Sequence, residues 1–176
     1  GKMGFVENTF FFLRMPTALG KRGIAFYEKG EIKKAIECFT LAIQVVPDWA
    51  YAYAYRGFLY GEQDAHDNAI SDYAKAIEYQ EDYDYAHIKR GESYFTKGDF
   101  ENALKDCNEA VRIDSDNPRY FFARGNVLLN LENFEDAISN YDQSIAIAPD
   151  ADVHDHRGRA NWLLGNLELA MNDFDK

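Results

Sequence analysis

The sequence predicts an all-α fold, a solenoid of repeated helix pairs, and two features of its spacing support this prediction. An Arg-Gly dipeptide recurs at intervals of 34, 34, 34 and 33 residues, at residues 22–23, 56–57, 90–91, 124–125 and 157–158. Twelve residues after each of these glycines stands an alanine: Ala35, Ala69, Ala103, Ala137 and Ala170. Self-similarity at a fixed period is typical of a repeat protein, which works through an extended surface rather than a closed pocket.

The residue pattern inside each repeat predicts two amphipathic helices, A and B, joined by a tight turn. In the first repeat, residues 17–29 form helix A, Gly30 and Glu31 form the turn, and Ile32–Val45 forms helix B. In helix B of the third repeat, apolar residues recur at steps of three and four and so form one stripe: Phe100, Ala103, Leu104, Cys107, Ala110 and Val111.

Small and turn-forming residues support the same frame. Gly30 and Gly98 provide a left-handed residue that ends a helix, and Asp64, Asp99 and Asn133 suit an N-cap or a first turn. The glycines of the Arg-Gly dipeptides are expected to face the helix B alanines at close approach. The aromatic residues four positions after those alanines then fill the space towards the next repeat: Phe39, Tyr73, Tyr141 and Phe174.

The period, with Gly, Ala, an aromatic residue and Ala at fixed offsets and with Pro47 and Pro149 in the turns, resembles the tetratricopeptide repeat (TPR) family. The resemblance implies a right-handed α-solenoid of stacked antiparallel helix pairs, the TPR superhelix. It covers nearly the whole chain, as an N-terminal extension at residues 1–16 followed by about five repeats at 17–49, 50–83, 84–117, 118–151 and 152–176, the last one partial. That architecture serves many unrelated tasks.

The arginines of the repeat have acidic or amide partners at a fixed distance along the chain. Sixteen residues after Arg56, Arg90, Arg124 and Arg157 stand Asp72, Asp106, Asn140 and Asp173. This register favours an internal charge-assisted hydrogen bond in each repeat over a ladder that binds phosphates or carboxylates. In the first repeat Cys38 takes the place of the acid, so Arg22 lacks that partner.

Charge and hydropathy exclude some partners. The net charge of −11 argues against nucleic acid as the main partner, because phosphate binding needs clustered Lys and Arg. Residues 1–34 carry seven basic and three acidic side chains, so the remainder is strongly acidic. An acidic outer face that keeps the protein in solution explains this, and electrostatic steering of a partner is the alternative. No apolar run approaches the roughly 20 residues that span a bilayer.

The two ends of the chain suggest that it is part of a longer protein, and its two cysteines suggest the compartment in which it lies. Gly1 in place of Met, and a chain that stops at Lys176 within a helix, suggest a fragment of a longer protein. Cys38 and Cys107 lie two repeats apart, beyond disulfide reach, and are expected to be small buried hydrophobes. A reducing cytoplasm is therefore the expected location.

Catalysis is not expected, because the chain has no phosphate-binding Gly-rich loop, no Gly-x-Ser-x-Gly elbow and no Cys-x-x-Cys pair. No cofactor is expected either. Residues 152–156 include His154 and His156, but a spacing of two points them to different faces of a helix, so only a loop would let them chelate a metal. His66 and His87 are isolated and are interpreted as packing or surface residues.

In TPR arrays one side of each helix A lines a concave groove, and the resemblance therefore implies a set of groove residues. Aromatic residues and arginine, which anchor binding hot spots, are frequent among them. The set is Tyr51, Tyr55, Phe58, Tyr85, Ile88, Lys89, Glu92, Phe95, Arg119, Phe122, Asn126, Arg159 and Trp162.

The alternative is that about half of the groove rings, especially Phe95 and Trp162, pack between neighbouring A helices. The tyrosines Tyr51, Tyr55 and Tyr85 favour a peptide with apolar or aromatic anchors. Four cations add a preference for acidic groups: Lys21, Lys89, Arg119 and Arg159.

The chaperone-binding subtype of the family holds a C-terminal carboxylate with Lys, Asn and Arg at set groove positions. The matching residues here are Gly20, Ile24, Tyr55, Tyr85 and Lys89, of which only Lys89 carries a suitable charge. The chain is therefore not expected to be such a clamp.

The predicted function is a non-catalytic protein–protein interaction scaffold that binds a peptide or helix of a partner in its groove. One alternative is a self-assembling oligomerisation module, and another is the regulatory repeat array of a larger enzyme. Weak head-to-tail self-association is a further expectation. It would bring Phe5, Phe10, Phe11 and Phe12 of one copy against the last repeat of another, at Leu167, Met171 and Phe174.

Overall fold

The computed structural model describes residues 3–176, and it describes side chains from Met15 onward. Within this range every regular element is an α-helix, which confirms the all-α prediction. The helices are α1 Met3–Glu28, α2 Ile32–Val45, α3 Ala50–Gly61, α4 His66–Tyr79, α5 Asp84–Thr96, α6 Phe100–Ile113, α7 Pro118–Asn130, α8 Phe134–Ile147, α9 Ala151–Leu163 and α10 Leu167–Phe174.

The helices form two units, and in each unit consecutive helices pack as neighbours. The first unit ends at Asp82 and contains α1 to α4 around a core that includes Phe39 and Leu59. The second unit, Tyr83–Lys176, contains α5 to α10 around two adjoining apolar clusters. Stacked helix pairs are the predicted solenoid architecture, which is thereby confirmed.

Helix α1 begins earlier than predicted. It starts at Met3 rather than near residue 17 and continues through Pro16, whereas α2 has the predicted bounds. A proline inside a helix removes one backbone hydrogen bond, and the flanking turns can still continue the helix at that cost. The side chains of Phe5, Phe10, Phe11 and Phe12 lie outside the described residues.

The turn inside each helix pair holds one residue in the left-handed conformation. Gly30 and Gly98 do so as predicted, with φ of 76° and 77°, and Gly165 does the same. Asp64 takes this conformation at φ 56°, so the prediction that it caps a helix is wrong; Ala65 precedes α4 instead. Asp is among the non-glycine residues that tolerate positive φ, because its short side chain bonds locally.

The other two predicted caps differ from each other. The Asp99 carboxylate accepts a hydrogen bond from the backbone N–H of Asn102 at 3.2 Å and caps α6. Asn133 precedes α8, but its side-chain amide donates to the Asp136 carboxylate and not to the helix backbone. Of the three predicted caps, only Asp99 therefore acts through its side chain.

Glycine on helix A permits close contact with helix B, and at Gly57 it faces the predicted alanine, because a Cβ there would lie 3.2 Å from the Ala69 carbonyl oxygen. A Cβ on Gly125 would lie 2.6 Å from the Tyr141 ring, and one on Gly23 would lie 2.7 Å from the Phe39 ring. Both rings are fully buried. At Gly23 and Gly125 the glycine thus makes room for the helix B aromatic residue, because a side chain on helix A would overlap the ring.

The predicted arginine pairs form in three repeats as two-pronged ion pairs. Arg56 donates from Nε and Nη2 to the two Asp72 carboxylate oxygens, both at 2.7 Å, and Arg90 binds Asp106 at 2.8 and 2.7 Å. Arg157 pairs with Asp173 in the same way. Each pair joins the two helices of one repeat, which confirms the internal charge-assisted hydrogen bond predicted for these arginines.

The fourth repeat has a weaker version of this pair. Arg124 donates from Nε to the Asn140 amide oxygen at 2.7 Å and from Nη1 to Asn108 at 3.2 Å. Burial lowers the pKa of Arg124, whereas the carboxylate of Asp106 outweighs burial and raises the pKa of Arg90. In the first repeat, exposed Arg22 lies 5.4 Å from the Phe26 ring.

The internal contacts of Arg56, Arg90, Arg124 and Arg157 are called the arginine ladder below, and a histidine joins them in two repeats. Buried His87 lies 3.4 Å from the Asp106 carboxylate, and His154 lies 3.2 Å from that of Asp173. His87 is therefore a packing residue, as interpreted from the sequence. His66 stands at the start of α4, and its Nδ1 is buried without a hydrogen-bond partner.

Cys38 and Cys107 are both free and buried, as expected. Burial raises the pKa of the Cys107 thiol to about 12, so this thiol stays protonated. None of the helices in residues 3–176 is long and apolar enough to cross a membrane.

Candidate functional site

A cavity of about 600 Å³ opens in the second unit between helices α5, α7 and α9. Five of the predicted groove residues line it: Glu92, Phe95, Arg119, Phe122 and Asn126. The turn between α8 and α9 closes one side with Pro149 and Asp150. The volume lies within the range of pockets that bind ligands in proteins.

The walls of the cavity are mostly apolar. Phe95 contacts Phe100 edge to face, with ring centroids 5.4 Å apart, and Phe122 contacts the His156 ring in the same geometry at 4.9 Å. Val127 and Val153 are buried and complete the apolar lining. Since packing fixes these rings, the cavity presents a preformed surface to an apolar group.

Asn126 is the best positioned polar group in the cavity. The hydroxyl of Tyr141, which is fully buried, donates to the Asn126 amide oxygen at 2.9 Å. Burial raises the pKa of Tyr141, so the hydroxyl remains a donor at neutral pH. Because the amide oxygen is engaged, the amide nitrogen of Asn126 is the group left to donate to a ligand, such as a peptide carbonyl.

The charges at the cavity differ from the expected basic set. Arg119 is the one predicted cation that lines it, together with three acids, Glu92, Asp150 and Asp152. Lys89 forms an ion pair with Glu92 at 2.7 Å. Lys21 belongs to the first unit, and Arg159 is exposed on α9 outside the lining. Of the three predicted cations in the second unit, Arg119 therefore lines the cavity, and Lys89 and Arg159 lie outside its lining.

The predicted groove residues of the first unit form an aromatic cluster. Tyr51 is 37% exposed, and its ring lies 5.3 Å from that of Tyr55. Tyr55 in turn stacks on buried Phe39 at 4.9 Å, and Phe58 meets Tyr27 edge to face at 5.2 Å. Tyr51 is the ring that a partner can reach most easily, while Tyr55 and Phe58 also hold the unit together.

The remaining predicted groove residues of the second unit range from buried in the core to exposed on the surface. Ile88 is buried in the core and therefore not available to a partner. The Tyr85 ring lies 6.1 Å from that of Tyr83. Phe95 packs against the core with its ring on Phe100 of α6, which is a B helix, and it also lines the cavity. Trp162 is 58% exposed, so the alternative of packing between A helices is wrong for Trp162.

Two residues beside the cavity were missed as groove residues. The sequence marks His156 only as a possible metal ligand and Tyr141 only as a packing residue. His156 occupies the repeat position of Tyr55 and Lys89, so the repeat register was sufficient to place it on the same face. The role of the Tyr141 hydroxyl had no sequence signal, because it depends on the distance to Asn126.

The two histidines of the predicted metal motif point to different neighbours. His154 faces Asp173 on α10, while His156 contacts Phe122 on α7 and places Nδ1 2.8 Å from the Asp152 carbonyl oxygen. This divergence is the one expected for a spacing of two on a helix. In the part of the chain that the structure describes, no three His, Cys, Asp or Glu side chains form a metal-binding group.

Comparison with solved structures shows the same fold in other repeat proteins. MamA 41-end from Desulfovibrio magneticus RS-1 is 14% identical, with a TM-score of 0.86, covering 92% of each chain. YrrB, described as a TPR protein with an unusual peptide-binding site, is 19% identical at a TM-score of 0.78, over 89% of this chain and 81% of YrrB. TTC0263, a thermophilic TPR protein in Thermus thermophilus, is 17% identical at a TM-score of 0.69, over 90% of this chain and 87% of TTC0263. These likenesses concern the fold.

Sequence comparison identifies the family. No curated protein matches the chain. A family model described as "TPR repeat" matches residues 23–64 and 91–132, and one described as "Tetratricopeptide repeat" matches residues 118–151. Together with the stacked helix pairs, these matches show that the chain belongs to the tetratricopeptide repeat family.

Proposed function

We propose that this chain is a non-catalytic scaffold that binds a peptide or helix of a partner protein in the groove formed by its A helices. The observation that supports this most directly is the cavity of the second unit, where five predicted groove residues meet. A protein-interaction role is the general role of the family, and the cavity is the specific surface for it.

The chemistry of the cavity suits a peptide. Apolar rings and valines line its walls, and the Asn126 amide nitrogen can donate to a main-chain carbonyl. Pockets that recognise ligands combine an apolar lining with a few polar groups that set orientation. In the first unit, Tyr51 adds an exposed ring beside Tyr55, and tyrosine is a frequent hot-spot residue.

Site-specific photo-crosslinking tests this function. Peptides selected from a random displayed library on the full chain would be added to a variant with benzoylphenylalanine at Thr96, which is exposed and lines the cavity. A matched variant would carry the same group at Glu101, which is exposed and lies outside the lining. Crosslinking at Thr96 with little at Glu101 is expected. Equal or preferential crosslinking at Glu101 would rule out the cavity as the binding site.

A second candidate function is self-association, and the last helix pair favours it. Six large apolar side chains of α9 and α10 are 44% to 67% exposed: Trp162, Leu163, Leu167, Leu169, Met171 and Phe174. Leu167, Met171 and Phe174 recur at helical spacing on one face of α10, and an exposed apolar face often marks an interaction surface. The predicted head-to-tail contact would use this surface in one copy and residues 5–15 of another.

Light scattering across protein concentration, at low and at high salt, tests self-association. We expect weak, concentration-dependent and salt-sensitive association that Met171→Glu reduces, because a charge on this surface opposes apolar burial. Deletion of residues 1–15 should abolish any oligomer. A strict monomer at high concentration and low salt would exclude this candidate.

A cytoplasmic location is part of the proposal. Free thiols at Cys38 and Cys107 suit a reducing compartment. Cell fractionation with an antibody to the chain checks this, and recovery in a membrane or secreted fraction would contradict it.

A further inference from the structure

The cavity has enough room for one large side chain and the residues beside it. Its apolar walls come from three helices, with Phe95 on α5, Phe122 on α7 and Val153 on α9. A groove of about 600 Å³ with walls of this kind favours a bulky aliphatic or aromatic anchor. The occupant is therefore expected to insert such a side chain between the phenylalanines.

The acidic side chains that line the cavity differ in whether a basic side chain pairs with them. Asp150 and Asp152 lie together at the start of α9, and the Asp150 carboxylate accepts from the backbone N–H of Asp152 at 2.9 Å. Neither carboxylate has a basic side chain within ion-pair distance among the described residues. Glu92, by contrast, already has Lys89 as its partner.

Among the described lining residues, Arg119 is the single guanidinium against these three carboxylates, and its side chain is exposed. Asp150 and Asp152 are exposed as well, so water and salt screen these charges alike, and the lining keeps an excess of carboxylates over cations. The side of the cavity formed by Asp150 and Asp152 is therefore complementary to a positive charge.

We propose that the cavity of the second unit selects a basic peptide, in which a Lys or Arg next to a bulky apolar residue pairs with Asp150 and Asp152 while the apolar side chain enters between Phe95 and Phe122. This inference rests on the proposed function and reverses the preference for acidic groups predicted from the sequence. Electrostatic complementarity of this kind raises specificity and association rate more than it raises affinity.

The test uses fluorescein-labelled synthetic peptides of equal length on the full chain. One peptide has a central Phe flanked on both sides by Lys, the second replaces Lys with Glu, the third replaces Lys with Ser, and the fourth keeps Lys but replaces Phe with Gly. At low salt we expect the Lys-Phe peptide to bind at least about tenfold more tightly than the Glu-Phe peptide in fluorescence anisotropy. The peptide without Phe should bind weakly.

Isosteric variants assign the effect to the two carboxylates. In the double variant Asp150→Asn, Asp152→Asn, the advantage of the Lys-Phe peptide over the Ser-Phe peptide should disappear. Asparagine is itself a good N-cap residue, so α9 should keep its start. The control is Asp155→Asn, which removes one exposed carboxylate from the same helix outside the cavity and should leave the advantage in place.

The outcomes separate this inference from the proposed function. If the Glu-Phe peptide binds as tightly as the Lys-Phe peptide, or if the double variant keeps full discrimination, the basic preference is overturned and peptide binding in the groove stands. If no synthetic or library-selected peptide crosslinks at Thr96, the proposed function fails, and this inference fails with it.

Discussion

The first and second units have different inner faces, although one repeat frame runs through both. In the first unit the groove positions of α3 hold Tyr55 and Phe58, whose rings pack on Phe39 and Tyr27. Two repeats later the same positions hold Ala123 and Asn126, and both residues line the cavity. At these two positions, packed aromatic rings in the first unit thus correspond to residues that line a cavity in the second unit.

Side-chain volume at these two positions is therefore one difference between the closed face of α3 and the open face of α7. The helix pairs of both units are held by the same two-pronged arginine contact, as Arg56 and Asp72 show in the first and Arg90 and Asp106 in the second. Since this contact is common to both, it does not explain the cavity. The side chains at the two groove positions, by contrast, differ between the units.

Removing an arginine of the ladder should have the largest effect, because it weakens the helix pair on which either face depends. Arg90→Ala leaves the Asp106 carboxylate, which is 3% exposed, without its cation and should lower the free energy of unfolding by roughly 3 kcal/mol. Arg124→Ala should cost only about 1 kcal/mol, because its partner Asn140 is neutral.

Urea unfolding of both variants measures this difference. An equal loss in both would contradict the distinction between acid and amide partners. An unchanged stability in Arg90→Ala, combined with lost peptide binding, would instead make the arginine a binding residue.

Transferring the aromatic pair of the first unit into the second should close the cavity. The double variant Ala123→Tyr, Asn126→Phe is expected to weaken library-selected peptides at least tenfold, or about 1.4 kcal/mol, because the added rings occupy the space of the anchor. Ala146→Tyr on α8, where the alanine is exposed outside the cavity, is the control. Isothermal titration measures both, and undiminished affinity in a folded double variant would show that the peptide binds elsewhere.

Acid should weaken the ladder in the repeats that contain a carboxylate. Burial would raise the pKa of Asp106, but hydrogen bonds from Arg90 and His87 outweigh burial and lower it. Because the pKa of Asp106 is lower in the folded chain, its carboxylate stabilises the fold at pH values above about 4, the pKa of an aspartate in the unfolded chain. This stabilisation is lost as the pH falls through the pKa of Asp106 in the folded chain.

Unfolding free energies measured from neutral pH down to acid check this contribution. The wild-type chain should lose on the order of 1 kcal/mol more than Asp106→Asn over the same range. Parallel pH profiles for the two proteins would show that Asp106 contributes nothing to acid sensitivity.

Restoring an acid in the fourth repeat should have the smallest effect. Asn140→Asp would let Arg124 form the two-pronged pair seen at Arg56 and Arg90, with an expected gain of about 0.5–1 kcal/mol at neutral pH. The gain is limited because the Asn140 amide also donates to the Asp136 carbonyl oxygen at 2.8 Å, and this bond would be lost. Thermal unfolding measures the change, and a lower melting temperature would mean that the amide contact is worth more than the charge.

Much of the fold could be predicted from residue spacing alone. The recurring Arg-Gly and Ala positions predicted helix pairs, and the bounds of α2 agree with the prediction. The spacing of sixteen between Arg90 and Asp106 predicted their contact, because a fixed distance along two packed helices places the same side chains together in each repeat. The caps were less predictable, since Asp64 suits either a cap or a left-handed turn.

Less of the candidate site could be predicted. The resemblance to the TPR family implied that Glu92, Arg119 and Asn126 are groove residues, and the structure brings them to one cavity. It did not show that Ile88 is buried in the core or that the two acids at the start of α9 join the lining. Nor did it show the neighbours of the four predicted cations, of which Arg119 lines the cavity.

The sequence by itself determined the all-α repeat, the helix pairs and the arginine ladder, because these depend on periodic local spacing. Only the tertiary structure decided which groove positions open into a cavity and which charges line it. The physical reason is that a cavity is the volume left between side chains of several helices, here Phe95, Phe122 and Val153. That volume depends on packing across helices, so Asp150 and Asp152 reach the same space as Arg119 only when the repeats are stacked.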